Sequence, residues 1–148
     1  MTGEELWSRY CSQSGVSADS YHSAWAFGGA PDKLAVLVKD GKKKATASGY
    51  DIYLLDDSEK MPEVGDYSIV LDSYDNAVCV IKTTKLYVSE FDDVTAEHAA
   101  KEGEGDLSLE YWRRVHEEFF MGECEAYGIK FDGHFRVLCE EFECVYTE

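Results

Sequence analysis

A predicted β-hairpin between Tyr67 and Val88 constrains the fold most strongly. Tyr67, Ile69 and Leu71 recur at every second position, which is the period of a strand that buries one face. The segment DSYDN that follows is rich in turn-forming residues, and an apolar run begins again at Val78. Because two strands joined by so short a turn pair antiparallel, we expect Tyr67–Leu71 and Val78–Val88 to form an antiparallel pair.

Helix signals interrupt the strands on both sides of this hairpin. PDKLAVLVKDG, from Pro31 to Gly41, has a proline at its entry, an apolar stripe and a glycine stop. A short helix is expected to begin at Thr95 and to end at Gly103. Other segments also have helical or strand patterns: helices at residues 4–13 and 107–128, and strands at 45–55 and 134–146. This order predicts the α+β class, as a small, mostly antiparallel β-barrel flanked by helices.

The long helix predicted at residues 107–128 carries several aromatic side chains. Its pattern is amphipathic, with polar residues on the face opposite the aromatic ones. We expect Trp112, Val115, Phe119 and Phe120 to point into the core.

The charge limits the partners that the chain can bind. Fourteen Lys and Arg residues against thirty Asp and Glu give a net charge of −16, which repels a long nucleic acid. Lys39 and the run Lys42–Lys44 nevertheless fall within six positions. A small anionic or neutral ligand at this basic spot therefore fits better than a long duplex lying across the whole surface.

The length of the chain, its cysteines and its histidines indicate the number of domains, the cellular compartment and whether a metal or cofactor is needed. The 148 residues suit one domain with its own core, and no stretch approaches the roughly 18 apolar residues that span a membrane. Five cysteines, with no CxxC spacing, favour a reducing cytoplasmic location without disulfides. His22, His116 and His134 are too scattered to form a metal site, and no cofactor is expected. The oligomeric state is left open.

The segment GKKKATAS, from Gly41 to Ser48, allows two interpretations. A helix dipole favours lysines just after a helix C-terminus, so the run is a solvated turn in the simpler interpretation. In the other, a lysine activates the hydroxyl of Thr46, which is a poor nucleophile until a base removes its proton. A lysine can act as that base only where burial or neighbouring cations lower its pKa. Lys43 and Thr46 would face opposite sides of a straight strand, so they converge only if Lys43 precedes the strand.

Several segments together resemble the ASCH domain, which is related to the activating-signal-cointegrator homology region. They are WAFG, LVKDGKKKATAS, VGDY, VTAEHAAKEGEGDLSLEYWRRVHEEFF and CEEFECVY, in this order from Trp25 to Tyr146. The resemblance is to a bacterial branch of the family and implies a PUA-like β-barrel. We expect a single ASCH domain over residues 1–148, with residues 1–24 as an N-terminal helical extension.

Some members of this family are amidohydrolases that remove the acetyl group from acetylcytidine. Their motif G-x-K-x-x-T is matched here by Gly41, Lys43 and Thr46, and their H-A-x-x-E segment by His98 and Glu102. The resemblance implies Thr46 as the nucleophile, Lys43 as its activator and Glu102 as a proton-handling partner. These three residues are the predicted catalytic set.

The chain departs from the amidohydrolase pattern at two positions. Lys44 stands where threonine is common, and Ser48 stands where an arginine is often found, which affects substrate recognition more than the chemistry. Trp25 and Phe27 lie beside glycines, where a ring can stack on a base. The predicted ligand-binding residues are Trp25, Phe27, Lys42, Lys44, Ser48 and His98.

Three functions remain open from the sequence. The first is a hydrolase of acylated cytidine or a similar small amide. The second is a non-catalytic module that binds RNA or a nucleotide, and the third is an interaction domain with a vestigial pocket. The acidic composition argues against long RNA but not against a mononucleotide.

Overall fold

The computed structural model describes all 148 residues, with five α-helices, one 3-10 turn and five strands. No helix combines the length and the apolar character needed to cross a membrane. In chain order the elements are α1 Gly3–Ser14, β1 His22–Ala26, α2 Pro31–Lys39, β2 Ala45–Gly49, α3 Tyr50–Leu55, β3 Tyr67–Leu71, β4 Ala77–Glu90, the 3-10 turn Phe91–Asp93, α4 Ala96–Glu102, α5 Leu109–Ala126 and β5 Arg136–Thr147.

The strands form one sheet in the order β1-β3-β4-β5-β2. β3 and β4 pair antiparallel, with Ile69 opposite Val80, which confirms the predicted hairpin. β2 and β5 also pair antiparallel, whereas β1 and β3 run parallel. The predicted α+β class with a mostly antiparallel sheet is therefore confirmed.

The ends of α2 and α4 follow the sequence signals. Pro31 occupies the first position of α2, and Gly41 adopts a left-handed φ of 76° after the helix ends. The Thr95 hydroxyl accepts a hydrogen bond from the backbone N–H of His98 at 3.1 Å, which caps the N-terminus of α4. Gly103 ends α4 in the left-handed conformation, at φ 73°.

The strand predicted over residues 45–55 is only half correct, because β2 ends at Gly49 and α3 follows directly. Ile52 of α3 is buried in a cluster with Phe135. The Asp51 carboxylate accepts hydrogen bonds from the backbone N–H of Arg136 at 2.9 Å and from its Nε at 2.8 Å. These tertiary contacts outweigh the local β-propensity of the segment.

The prediction that Phe119 points into the core is wrong. Its side chain is 47% exposed, whereas Phe120 and Trp112 are buried. Consecutive helix positions differ by about 100° around the axis, so the two phenylalanines cannot both face the core.

By its contacts, the chain divides into two compact units. Unit 1 comprises residues 1–44, 63–84 and 142–148, and unit 2 comprises residues 45–62 and 85–141.

In unit 1, the buried apolar side chains form two clusters. Leu6 and Trp7 of α1 pack against Ile69 and Val80, and Val38 of α2 belongs to a second cluster. In unit 2, one cluster contains the aromatic side chains of α5 and their neighbours. Its large members are Phe91, Trp112, Phe120, Phe135 and Val137.

Candidate functional site

The turn between α2 and β2 positions Lys43. The backbone N–H groups of Lys42 and Lys43 both donate to the Leu37 carbonyl, at 2.9 and 3.0 Å. This C-terminal cap satisfies a helix carbonyl while the left-handed Gly41 reverses the chain. Lys43 therefore lies in the turn, before β2 begins at Ala45, which is the placement that the sequence analysis required.

The three consecutive lysines differ in exposure. Lys42 and Lys44 are exposed, whereas the Lys43 side chain is 2% exposed and is among the largest fully buried side chains. Its ammonium lies 5.4 Å from the centroid of the Phe27 ring, which is within cation–π range. Trp25 packs edge-on against Phe27 with ring centroids 4.8 Å apart. Of the predicted residues in unit 1, Lys43 and the two aromatic rings thus form a contiguous group.

β2 carries the two hydroxyl residues of the segment GKKKATAS. Thr46 and Ser48 are both half-buried, and in the antiparallel register they lie opposite Glu140 and Leu138 of β5. Two residues apart on a strand, they face the same side of the sheet. Burial raises the pKa of Tyr53, which lies near Ser48. Helix α4, which carries Glu102, packs against β2.

Glu102 is a buried carboxyl group, 1% exposed, whose oxygens contact three side chains of unit 2. Trp112 Nε1 donates to Oε2 at 2.6 Å, and His98 Nε2 lies 2.7 Å from the same oxygen. His116 Nε2 lies 3.4 Å from Oε1. An isolated buried carboxyl group is strongly disfavoured, so these polar contacts help to make the burial of Glu102 possible.

Two helices arrange this cluster by the same four-residue spacing. His98 and Glu102 lie four apart on α4, and Trp112 and His116 lie four apart on α5. The rings of Trp112 and His116 stack with centroids 4.2 Å apart and planes 13° from parallel. Because α4 packs on α5, Trp112 and His116 of α5 reach the carboxyl group of Glu102, which His98 of α4 also contacts.

The structure adds two residues to the predicted set and gives His98 a specific contact. Sequence analysis assigned Trp112 to the core and left His116 without a role, although the WxxxH spacing on one helix face was visible. His98, predicted to bind ligand, is 1% exposed and directs Nε2 to Glu102. Its Nδ1 is buried without a hydrogen-bond partner. No group of three or more His, Cys, Asp and Glu side chains is arranged to hold a metal ion.

The predicted site residues therefore fall into one set in each unit. Unit 1 contains Lys43, packed with aromatic rings and flanked by two exposed lysines. Unit 2 contains Thr46 and Ser48 on a strand, with His98 and Glu102 on the helix that packs against it.

Known proteins resemble the chain over nearly its whole length. The crystal structure of an ASCH domain from Lactobacillus crispatus has 31% identity and a TM-score of 0.89, covering 97% of this chain and 94% of that one. A protein from Enterococcus faecalis has 31% identity and a TM-score of 0.85, covering 99% and 95%. The hypothetical protein PH0355, at 19% identity, TM-score 0.53 and coverage of 84% and 98%, shares the fold alone. No curated protein is similar enough to count as a match.

The family profile described as ASCH domain matches residues 23–146. That match spans most of the chain and includes every residue of the predicted site. The chain belongs to the ASCH domain family.

Proposed function

We propose that this ASCH domain binds a nucleoside-like ligand and hydrolyses the amide bond of an acylated cytidine or a similar small amide. The observation that carries the proposal is the burial of Glu102 under three side-chain partners, on a helix that packs against the strand of Thr46. A solvated loop glutamate would need neither the burial nor the partners. The match of Lys43, Thr46 and Glu102 to the amidohydrolase motif supports the same proposal.

In the first half-reaction, the neutral amine of Lys43 takes the hydroxyl proton of Thr46. The Thr46 oxygen forms a bond to the acyl carbon, and the C–N bond breaks with its electron pair going to nitrogen. The protonated carboxyl of Glu102 supplies the proton that the leaving amine needs.

In the second half-reaction, water attacks the acyl ester on Thr46. One proton of that water goes to Glu102, which restores the carboxylic acid. The ester C–O bond breaks, and Thr46 recovers its proton from the Lys43 ammonium. The balance is one amide and one water consumed, and one acid and one amine released.

The ligand-binding roles proposed for the other residues follow from their exposure. The ring of Trp25 is half-buried and can stack on a base, with Phe27 packed beneath the Lys43 ammonium. Lys42 and Lys44 are exposed and would meet anionic groups of the ligand. Ser48 and His98 are proposed as polar contacts.

A screen of purified protein against acylated cytidines and simple amides tests the proposal. We expect release of the free amine and acid, detected by chromatography, for at least one acylated nucleoside. Glu102→Gln keeps the shape of the side chain but removes proton transfer, so it is the matched control. Absence of turnover on every acylated nucleoside would count against hydrolysis, and equal turnover by Glu102→Gln would count against Glu102 as the acid.

Binding of a nucleotide or an RNA fragment without catalysis is the second candidate. The exposure of Lys42 and Lys44 beside the aromatic group favours it. Salt titration of binding to a short RNA discriminates, because phosphate contacts weaken steeply as salt rises. No binding at low salt removes this candidate.

A further inference from the structure

One of the five free cysteines differs from the other four in exposure. Cys144 of β5 is half-buried, whereas the other four are buried: Cys11, Cys79, Cys124 and Cys139. A thiol must be reached by solvent before it meets a dissolved oxidant or an alkylating reagent. Cys144 is therefore the cysteine most open to chemical modification.

Cys79 and Cys144 lie on the same face of two neighbouring strands. Cys79 belongs to β4 and Cys144 to β5, and these strands are adjacent in the sheet. Cys79 is 0% exposed in the cluster of unit 1 that contains Val38 of α2, and Cys144 packs against that cluster. Val80, the next residue on β4, belongs to the other cluster of unit 1, on the opposite face. Side chains on one face of adjacent strands are close neighbours, so the fold brings the two thiols together.

The two thiols change each other's pKa. The neighbouring thiol of Cys79 is the largest cause that lowers the pKa of Cys144 to about 7, from the usual 9.0. In return, Cys144 is the largest cause that raises the pKa of Cys79. The charges of Lys39, near Cys79, and of Glu143, near Cys144, act against these shifts without reversing them. Near neutral pH, Cys144 is thus partly the reactive thiolate, while Cys79 keeps its proton.

The other three cysteines have the opposite character. Burial raises the pKa of Cys11 and of Cys124, and it raises the pKa of Cys139 to about 12. Each of them is therefore both less accessible and less ionised than Cys144.

We propose that Cys144 is an oxidation site, at which a peroxide produces a reversible disulfide bond with Cys79. The proposal is independent of the proposed hydrolysis, because it uses no residue of the predicted catalytic set. Cys144 is the thiol that meets the oxidant, and Cys79 is the buried partner that captures the oxidised sulfur.

The oxidation has two steps. The Cys144 thiolate attacks one oxygen of hydrogen peroxide, the O–O bond breaks, and the leaving hydroxide takes a proton to become water. Cys144 is then a sulfenic acid. The sulfur of Cys79 attacks the Cys144 sulfur, the S–O bond breaks, and the leaving hydroxide takes the Cys79 proton as a second water. Two thiols and one peroxide are consumed, and one disulfide and two waters are formed.

The position of Cys79 suits the second step. A sulfenic acid at Cys144 is neutral, so the first step removes the thiolate charge that opposes ionisation of Cys79. Neighbouring strands lie about 4.8 Å apart, and a disulfide joins Cα atoms about 4.4–6.8 Å apart. The bridge also protects Cys144 from irreversible oxidation to the sulfinic acid.

Peptide mass spectrometry of the intact chain tests the bridge. One equivalent of hydrogen peroxide is added to the fully reduced protein, the free thiols are alkylated, and the digest is analysed without reduction. We expect a peptide pair linked through Cys79 and Cys144, and dithiothreitol should restore both thiols. Absence of this link, or a link between any other pair, would overturn the proposal.

Three variants separate the roles of the two thiols. In Cys79→Ala the partner is missing, so the sulfenic acid of Cys144 should persist and be trapped by dimedone. In Cys144→Ala, Cys79 should stay reduced. Cys11→Ala is the matched control, because Cys11 lies in unit 1 outside the pair, and the bridge should form as in the wild type. A dimedone adduct on Cys79, or none on Cys144 in Cys79→Ala, would contradict these roles.

The wild-type protein alone decides the reactivity of Cys144 if a variant fails to fold. Iodoacetamide at neutral pH should label Cys144 at least about tenfold faster than any other cysteine of the folded chain, because it is accessible and partly ionised. Equal labelling rates for Cys144 and the buried cysteines would overturn the inference.

Discussion

Trp112 and Glu102 are joined by a 2.6 Å hydrogen bond, in which the indole Nε1 of helix α5 donates to a carboxylate oxygen of helix α4. The same indole packs on Phe91 at 5.4 Å and on His116 at 4.2 Å between ring centroids. One side chain thus belongs both to the apolar core of unit 2 and to the polar cluster around Glu102. Stability and proposed chemistry are therefore coupled at this position.

Trp112→Phe keeps an aromatic ring but removes the N–H donor. We expect the free energy of unfolding to fall by about 1–3 kcal/mol, because a buried carboxyl oxygen loses its N–H donor. Trp7→Phe is the matched control, since Trp7 Nε1 donates at 3.0 Å to the neutral Ala18 carbonyl and should cost about 0.5–1.5 kcal/mol. Urea denaturation at neutral pH measures both. Equal losses in the two variants would show that the bond to the buried Glu102 stabilises the fold no more than a bond to a backbone carbonyl.

Gly49, at the end of β2, is required by packing rather than by its backbone angles. A Cβ at this position would lie 2.9 Å from Ile52 Cγ1 and 2.9 Å from Phe135 Cζ, closer than van der Waals contact. We expect Gly49→Ala to lower the free energy of unfolding by about 1–3 kcal/mol through overpacking.

Gly122 provides the comparison for Gly49. It lies inside α5, and a Cβ there meets no atom within 4 Å. Gly122→Ala should raise stability by about 0.5–1 kcal/mol, since alanine favours the helix. Thermal melting followed by circular dichroism measures both variants, and a stable Gly49→Ala would contradict the packing argument.

The fold was predictable where local signals and tertiary contacts agree. The Thr95 cap and the Gly103 stop marked α4 because short polar and glycine residues satisfy helix ends whatever surrounds them. Tyr50–Leu55 was not recognised as a helix, because its conformation depends on the contacts of Asp51 with Arg136 and of Ile52 with the core. Those contacts join positions more than eighty residues apart.

The candidate site was predictable only through motif spacing. The resemblance identified Glu102 as a candidate, and the i,i+4 rule placed His98 beside it, but nothing local links Glu102 to Trp112 or His116. The burial of Lys43 was also not predictable, since lysines after a helix are ordinarily solvated. Both findings depend on how distant elements pack, which a single sequence does not encode in any short pattern.

Asp72 makes the β3–β4 turn sensitive to acid. Its Oδ1 accepts bonds from the backbone N–H groups of Asn76 and Tyr74, each at 2.9 Å. The bond from Asn76 is the largest cause that lowers the pKa of Asp72 from its usual 3.8. A carboxyl whose pKa is lower when folded stabilises the protein above its unfolded pKa, and this contribution is lost as the pH falls below it.

Asp72→Asn keeps an oxygen that accepts both bonds but removes the charge. We expect the stability difference between the wild type and Asp72→Asn to shrink as the pH falls from about 6 to about 3. Asp57→Asn, at an exposed position, is the control for general charge effects. Urea denaturation at several pH values across this range measures the difference. A stability difference that does not change with pH would exclude a role of Asp72 in the loss of stability at low pH.

The roles proposed for Lys43 and Thr46 predict that the losses of turnover in the two single variants do not add in the double variant. Thr46→Ala removes the nucleophile, so we expect turnover of the acylated cytidine to be abolished while ligand binding stays nearly intact. Lys43→Ala should be about as damaging, because activator and nucleophile act as one unit, and the double variant should be scarcely worse than either. Glu102→Gln should cost on the order of a hundredfold or more in kcat.

Lys42→Ala and Lys44→Ala are the matched controls for this series, since both neighbours of Lys43 are exposed. They should change affinity and its salt dependence modestly, with kcat little altered. Because Lys43 is buried, Lys43→Met is included to keep side-chain volume, and circular dichroism checks that each variant is folded. Activity that survives Thr46→Ala would reject the covalent role of Thr46. Losses that add fully in the double variant would show that Lys43 and Thr46 act independently, and Lys43 would then serve binding rather than activation.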